Sequence, residues 1–91
     1  MAGRPALFLA QAREAVRALP PDVKRRVRAE VDALKLDPNL PEPLGGELSG
    51  LNRARVGRYR IVFRIDPDAI VIVAVGPRRT IYVDLERASH R

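Results

Sequence analysis

The stretch RARVGRYRIVF, residues 53–63, decides the predicted fold of this chain. Apolar and polar residues alternate on both sides of Gly57-Arg58, and two alternating runs separated by a glycine-containing pair are typical of a β-hairpin. A two-residue loop fixes which residues face each other across the hairpin. The predicted pairs are Val56 with Tyr59, Arg55 with Arg60, Ala54 with Ile61 and Arg53 with Val62.

This register divides the hairpin into an apolar face and a cationic face, because paired residues of antiparallel strands share a face. The side chains predicted to point into the core are those of Ala54, Val56, Tyr59, Ile61 and Phe63. Those predicted to point away from it together are Arg53, Arg55, Arg60 and Arg64. Like charges opposite each other destabilise a hairpin, so a bound polyanion would relieve the repulsion between Arg55 and Arg60. Guanidinium groups suit phosphates, which they grip through two parallel hydrogen bonds.

Two alternatives stay open from the residues alone. The arginines could pair with carboxylates of the same chain or simply protect a sheet edge from aggregation. The candidate carboxylates are Glu42, Glu47, Asp84 and Glu86. A three-residue loop at Gly57 would shift the register and scatter the cationic face.

The flanking segments predict helices before the hairpin and strands after it. A short strand at residues 6–9 precedes a helical hairpin at about residues 10–36, where apolar residues recur at helical spacing on either side of Pro20-Pro21. Residues 70–75 are all apolar and predict a central strand, and residues 80–83 predict a last strand before a charged tail at 84–91. The predicted fold class is α+β with two layers: the helical hairpin packs on a four- to five-stranded, mostly antiparallel sheet at about residues 52–83.

Composition limits the classes of function that the chain can have. Seventeen lysines and arginines against eleven acidic residues give a net charge of +6, which favours a polyanionic partner, although a genome that favours arginine would produce the same excess. The chain has no cysteine and one histidine, so we expect no disulfide, no metal site and no cofactor. The apolar patch at residues 6–10 is too short for a signal peptide or a membrane span, so a cytoplasmic protein is expected.

These residues resemble the RelE/ParE toxin superfamily, and more closely its RelE branch. The resemblance covers nearly the whole chain and rests on PLGGELSGL at 43–51, the run at 53–63, and VGPR at 75–78 leading to Tyr82. It implies one toxin domain over residues 1–91, which cleaves messenger RNA in the ribosomal A site and is neutralised by an acidic, partly disordered RelB-like antitoxin. The resemblance also implies a monomer that becomes a hetero-oligomer with its antitoxin.

The resemblance also implies the reaction and its residues. The RNA 2′-hydroxyl attacks the adjacent phosphate without a metal, and the residues that match the family's catalytic set are Arg53, Arg55, Arg60, Arg78 and Tyr82. Further RNA contacts are expected from Arg58, Arg64 and Arg79, and His90 is a candidate acid or base unless it is only a tail residue.

Three positions depart from the family pattern, a pair of arginines and one proline. The family often has lysines where Arg53 and Arg55 stand, and arginine stays protonated at physiological pH, so both can only clamp the phosphate. Tyr82 is then the remaining candidate base, unless it stacks on a nucleobase or faces the core or the antitoxin. Pro77 stands where many relatives have histidine. Two rival functions therefore stay open, a ParE-like gyrase inhibitor that acts by binding and a non-toxic partner-binding module.

Overall fold

The computed structural model describes residues 3–37 and 42–89. Within these residues there are five strands: β1 (Ala6–Phe8), β2 (Glu42–Pro43), β3 (Asn52–Val56), β4 (Tyr59–Ile65) and β5 (Ile70–Pro77). They form one sheet in the order β1-β5-β4-β3-β2. The helices are α1 (Ala10–Arg17), α2 (Pro21–Leu36) and α3 (Ile81–Ser89), and a 3₁₀ turn covers Gly46–Leu48. Among the strands of the described ranges only β1 runs parallel to its neighbour, β5, so the predicted α+β class with a mostly antiparallel sheet is confirmed.

The β3–β4 hairpin has the predicted register. Val56 pairs with Tyr59 and Arg55 pairs with Arg60, which leaves Gly57-Arg58 as a two-residue loop. Gly57 has a φ of 58°, the conformation that a type II′ turn requires at its first central position. The glycine therefore sets the register, and the register sets which arginines share a face.

The predicted helical hairpin at 10–36 is also confirmed. Pro20 and Pro21 end the first helix and begin the second, because proline is tolerated only in the first turn of a helix. The buried residues of α2 are Val27, Val31 and Leu34, which recur every three or four positions and lie on one stripe. This stripe packs on one face of the sheet, where Ile61 and Phe63 are fully buried. Burying each such side chain contributes about 1.5–3 kcal/mol.

Residues 80–83 form no strand, so the prediction of a last strand there is wrong. The sheet ends at Pro77, and residues 81–89 form α3, which also takes in most of the predicted charged tail. The amide of Asp84 donates to the carbonyl oxygen of Thr80, the first helical hydrogen bond. Ile81 and Leu85, four residues apart, pack with Val62 in a second, smaller core. The centre of the second face of the sheet is therefore apolar and covered by α3, and the arginines lie around it.

None of the helices within residues 3–37 and 42–89 combines the length and hydrophobicity of a membrane span.

Candidate nucleic-acid interface

Four side chains from three elements meet at one edge of the second face of the sheet, and we call them the arginine–tyrosine cluster: Glu42, Arg53, Arg55 and Tyr82. Glu42 lies on β2 directly opposite Arg53, so both side chains point to the same face. Arg55 follows two residues later on the same face of β3, and the first turn of α3 brings Tyr82 over the pair. The cluster therefore depends on both the hairpin and α3.

Glu42 joins the two arginines. Its Oε1 lies 3.1 Å from Arg53 Nε and 2.9 Å from Arg55 Nη2, and its Oε2 lies 3.0 Å from Arg55 Nε. Arg53 Nη1 is 3.3 Å from the Tyr82 hydroxyl, and the Arg53 guanidinium carbon is 5.8 Å from the centre of the tyrosine ring. A cation at that distance from an aromatic ring is attracted by its electrons.

These contacts shift the pKa values of the cluster. The hydrogen bond from Arg55, helped by Arg53, lowers the pKa of Glu42 below its usual value against the effect of partial desolvation. The hydrogen bond with Tyr82, and then that with Glu42, raises the pKa of Arg53 further above its already high value. The cluster thus has two fixed positive charges and one negative charge at neutral pH. Because the Arg55 and Glu42 side chains are 56% and 42% exposed, the pair contributes little stability, and a phosphate can compete for the arginines.

The side chain of Arg60 is buried, which differs from the prediction. It was expected to point into solvent with its neighbours, but it is only 6% exposed. Its Nη1 donates to the carbonyl oxygens of Gly57 at 2.9 Å and Tyr59 at 2.8 Å. Alternation along a strand predicts the face on which a residue lies but not its depth. Arg60 is on β4 between two other strands, and its guanidinium folds back onto the hairpin turn.

The remaining predicted arginines lie outside the arginine–tyrosine cluster. The alternative that carboxylates of the same chain pair with the arginines is confirmed for Arg53 and Arg55, which both bind Glu42. Arg64, near the other end of β4, pairs at 2.8 Å with Asp66, a carboxylate that was not among the predicted candidates. Arg58, Arg78 and Arg79 line a depression of about 400 Å³ at the hairpin tip. The amide of Arg78 donates to the carbonyl oxygen of Arg58 and joins the two loops there. His90 lies outside the described residues.

Glu42 was predicted only as a possible ion-pair partner and not as a site residue. Its strand has two residues, too few to give a periodic pattern, and it lies eleven positions before Arg53. Within residues 3–37 and 42–89, no group of three His, Cys, Asp or Glu side chains could hold a metal ion.

Comparisons with known proteins agree on the class of protein to which the chain belongs. Residues 6–82 match the family model described as ParE toxin of type II toxin–antitoxin system, parDE. The chain is 33% identical to a chain of the RelBE2 toxin–antitoxin complex of Mycobacterium tuberculosis, with a TM-score of 0.77 over 86% of this chain and 94% of that one. It is 26% identical to a chain of the RelE–RelB complex of Pyrococcus horikoshii, with a TM-score of 0.68 over 84% and 96%. A mutant of the Escherichia coli toxin RelE in the free state, with two arginines replaced by alanine, shares the fold at 18% identity, with a TM-score of 0.78 over 99% of this chain and 98% of that one. No curated protein sequence matches significantly.

The sheet, the helical hairpin and the match to the family model together define a small α+β protein of the toxin class. The chain belongs to the ParE toxin family of type II toxin–antitoxin systems, and its structure is RelE-like.

Proposed function

We propose that this toxin is a metal-independent endoribonuclease that cleaves messenger RNA on the ribosome. The observation that carries the proposal is the arginine–tyrosine cluster, in which two guanidinium groups, a carboxylate and a phenol share one surface. Those are the groups that an attack of a 2′-hydroxyl on its neighbouring phosphate needs: cations for the charge that develops on the phosphorus oxygens, a proton acceptor and a proton donor.

Each group has a role in this scheme. Arg53 and Arg55 clamp the phosphate, since neither can lose its proton. As the phosphate takes the two arginines, Glu42 loses the hydrogen bonds that lower its pKa and becomes a better acceptor for the proton of the 2′-hydroxyl. The 2′-oxygen forms its bond to phosphorus, the bond to the 5′-oxygen breaks, and the Tyr82 hydroxyl supplies a proton to that leaving oxygen. Tyr82 therefore acts as the acid, and Glu42 takes the role of base that the sequence suggested for the tyrosine.

The proposed partners are the ribosome with its messenger RNA and an acidic, RelB-like antitoxin. The similar chains from M. tuberculosis and P. horikoshii come from complexes of a toxin with an antitoxin. A net charge of +6 on a small domain favours acidic partners of both kinds. A toxin that acts on ribosomes would work in the cytoplasm.

Primer extension on a translated message tests the activity directly. We expect A-site cuts by the wild-type protein and a loss of at least about tenfold in Arg53→Ala, Glu42→Gln and Tyr82→Phe, because a lost charge-assisted contact to a transition state costs about 2 kcal/mol. Arg87→Ala, an exposed arginine on α3, is the matched control and should cut like the wild type. If wild-type protein leaves the message intact, the proposal is wrong.

A second candidate function is inhibition of DNA gyrase by binding alone. It is favoured by the description of the matching family, ParE, and by the absence of a lysine from the cluster. A supercoiling assay with the same proteins separates the two. Inhibition of gyrase without cleavage of RNA would favour this second function.

A further inference from the structure

A pocket of about 320 Å³ lies between α2 and β3, next to the arginine–tyrosine cluster. We call it the edge pocket, because it lies near the β2 edge of the sheet. Its lining includes Glu30, Ala33 and Leu34 of α2 and, from the cluster, Arg53 and Arg55. Its volume is at the small end of the range for ligand sites. A ligand that binds the two arginines therefore has room to extend toward α2.

Glu30 is the carboxylate of the edge pocket that is left unpaired. Its side chain is half-buried. In the part of the chain that the structure describes, no group lies within ion-pair or hydrogen-bond distance of this carboxylate. Glu42, in contrast, is held by Arg53 and Arg55. Both oxygens of Glu30 can therefore accept hydrogen bonds from a ligand.

The charges of the edge pocket favour a ligand with two unlike ends. Glu30 attracts hydrogen-bond donors, whereas Arg53 and Arg55 attract an anion. A metal ion or an ammonium group would meet the guanidinium groups in the same pocket, and a simple anion would meet Glu30. A nucleotide satisfies both sides, because its phosphate is an anion and its base is a neutral ring with N–H donors. Ala33 and Leu34 offer apolar contact to such a ring.

We propose that the edge pocket binds the guanine base of the RNA nucleotide whose phosphate lies on Arg53 and Arg55, and that Glu30 selects this base. Guanine presents N1–H and its N2 amino group side by side, so a carboxylate accepts two parallel hydrogen bonds from it. Adenine and cytosine have an acceptor beside the donor on this edge, and uracil has acceptors on both sides of its donor. Each of these bases gives Glu30 one hydrogen bond and sets an acceptor close to its negative charge. The inference rests on the proposed function only for the position of the phosphate.

Binding of 2′-deoxy oligonucleotides, which cannot be cleaved, tests the choice of base. The probes are short fluorescein-labelled thymine oligonucleotides with one central guanine, adenine, hypoxanthine or 7-deazaguanine, followed by anisotropy. We expect the guanine probe to bind about tenfold more tightly than the adenine probe, the usual size of a two-bond contact to a base. Hypoxanthine lacks the N2 amino group and should lose about fivefold, whereas 7-deazaguanine keeps both donors and should bind like guanine.

Glu30→Gln tests the residue. The preference for guanine over adenine should fall below about threefold, because the glutamine amide has one acceptor oxygen in place of two. Asp32→Asn is the control, since it removes an equal charge from the same helix at a position outside the edge pocket, and it should keep the tenfold or so preference. An all-thymine oligonucleotide should bind the two variants equally, within about twofold, because its phosphates meet the same arginines. Circular dichroism verifies that both variants are folded.

Competition separates an RNA base from a free nucleotide. Guanosine monophosphate should displace the guanine probe at least about tenfold less effectively than an unlabelled guanine oligonucleotide, because it lacks the flanking phosphates. More effective displacement by the free nucleotide would mean that the pocket serves a small molecule, and the inference would be wrong. The inference is also wrong if Glu30→Gln keeps the preference, if Asp32→Asn loses it equally, or if no probe binds.

Cleavage of a translated message distinguishes this inference from the proposed function. A guanine preference that depends on Glu30, without any cleavage of the message, would refute only the nuclease function. Cleavage by a protein that binds all the probes equally would refute only the role of Glu30.

Discussion

Arg55 holds Glu42 through two parallel hydrogen bonds, with Nη2 2.9 Å from Oε1 and Nε 3.0 Å from Oε2. This is the geometry in which a guanidinium binds two oxygens of a phosphate. Glu42 thus occupies, within the chain itself, the place that the proposed function gives to the substrate. The relationship leads to two predictions about Glu42.

The first prediction concerns the pKa of Glu42. Arg55 is the largest cause of its lowering, so in Arg55→Ala the pKa should rise toward the usual value of about 4.5. A lowered pKa in the folded state means that the contribution of the pair to stability is fully present above about pH 4.5 and is lost as the pH falls through the lowered value. Carbon-detected NMR of the Glu42 carboxyl measures this titration. Arg64→Ala is the control and should instead raise the pKa of Asp66, whose partner it removes. An unchanged Glu42 titration in Arg55→Ala would contradict the geometry.

The second prediction separates binding from cleavage. Glu42→Gln removes the internal anion, so a 2′-deoxy oligonucleotide should bind about fivefold more tightly, even though the variant cuts RNA poorly. Binding is measured by anisotropy at several salt concentrations. Glu14→Gln removes a more exposed carboxylate, 67% against 42% for Glu42, which is paired with Arg17 on α1, and it should leave affinity unchanged. If Glu42→Gln binds more weakly than the wild type, Glu42 does not compete with phosphate.

Arg60 is expected to stabilise the hairpin more than it contacts RNA. Arg60→Ala leaves the carbonyl oxygens of Gly57 and Tyr59 without their charged donor and opens a buried space, so the free energy of unfolding should fall by about 3 kcal/mol. Urea denaturation measures this loss. Arg58→Ala, at an exposed position of the same turn, should cost less than about 0.5 kcal/mol. Equal stabilities of the two variants would argue that the Arg60 hydrogen bonds contribute nothing.

The sequence predicts the features that depend on local backbone geometry. It does not predict how deeply a side chain is buried or which distant residues it contacts. A glycine in a two-residue loop and alternating strands fix the hairpin register, so the pairing of Arg55 with Arg60 could be predicted. The burial of Arg60 could not be predicted, because it depends on the strands that lie on either side of β4. The run at 80–83 is rich in β-branched and aromatic residues and resembles a strand, yet the contact of Ile81 and Leu85 with Val62 makes it helical. Tertiary packing there overrides local propensity.

The last prediction concerns Gly57, on which the register depends. Gly57→Ala places a Cβ at a φ of 58° and 3.0 Å from Nη2 of Arg26, so it should cost about 1–2 kcal/mol, most of it backbone strain, since the arginine can move aside. Gly57→Asn should cost less, because asparagine tolerates this conformation better. Gly45→Ala is the control, since Gly45 has an extended φ of −116° and no atom within 4 Å of the added carbon. Urea denaturation of the three variants ranks their losses of stability. NMR contacts between β3 and β4 show whether the two strands keep their register. An alanine at position 57 that is tolerated as well as one at position 45 would mean that the turn does not hold the arginines in register.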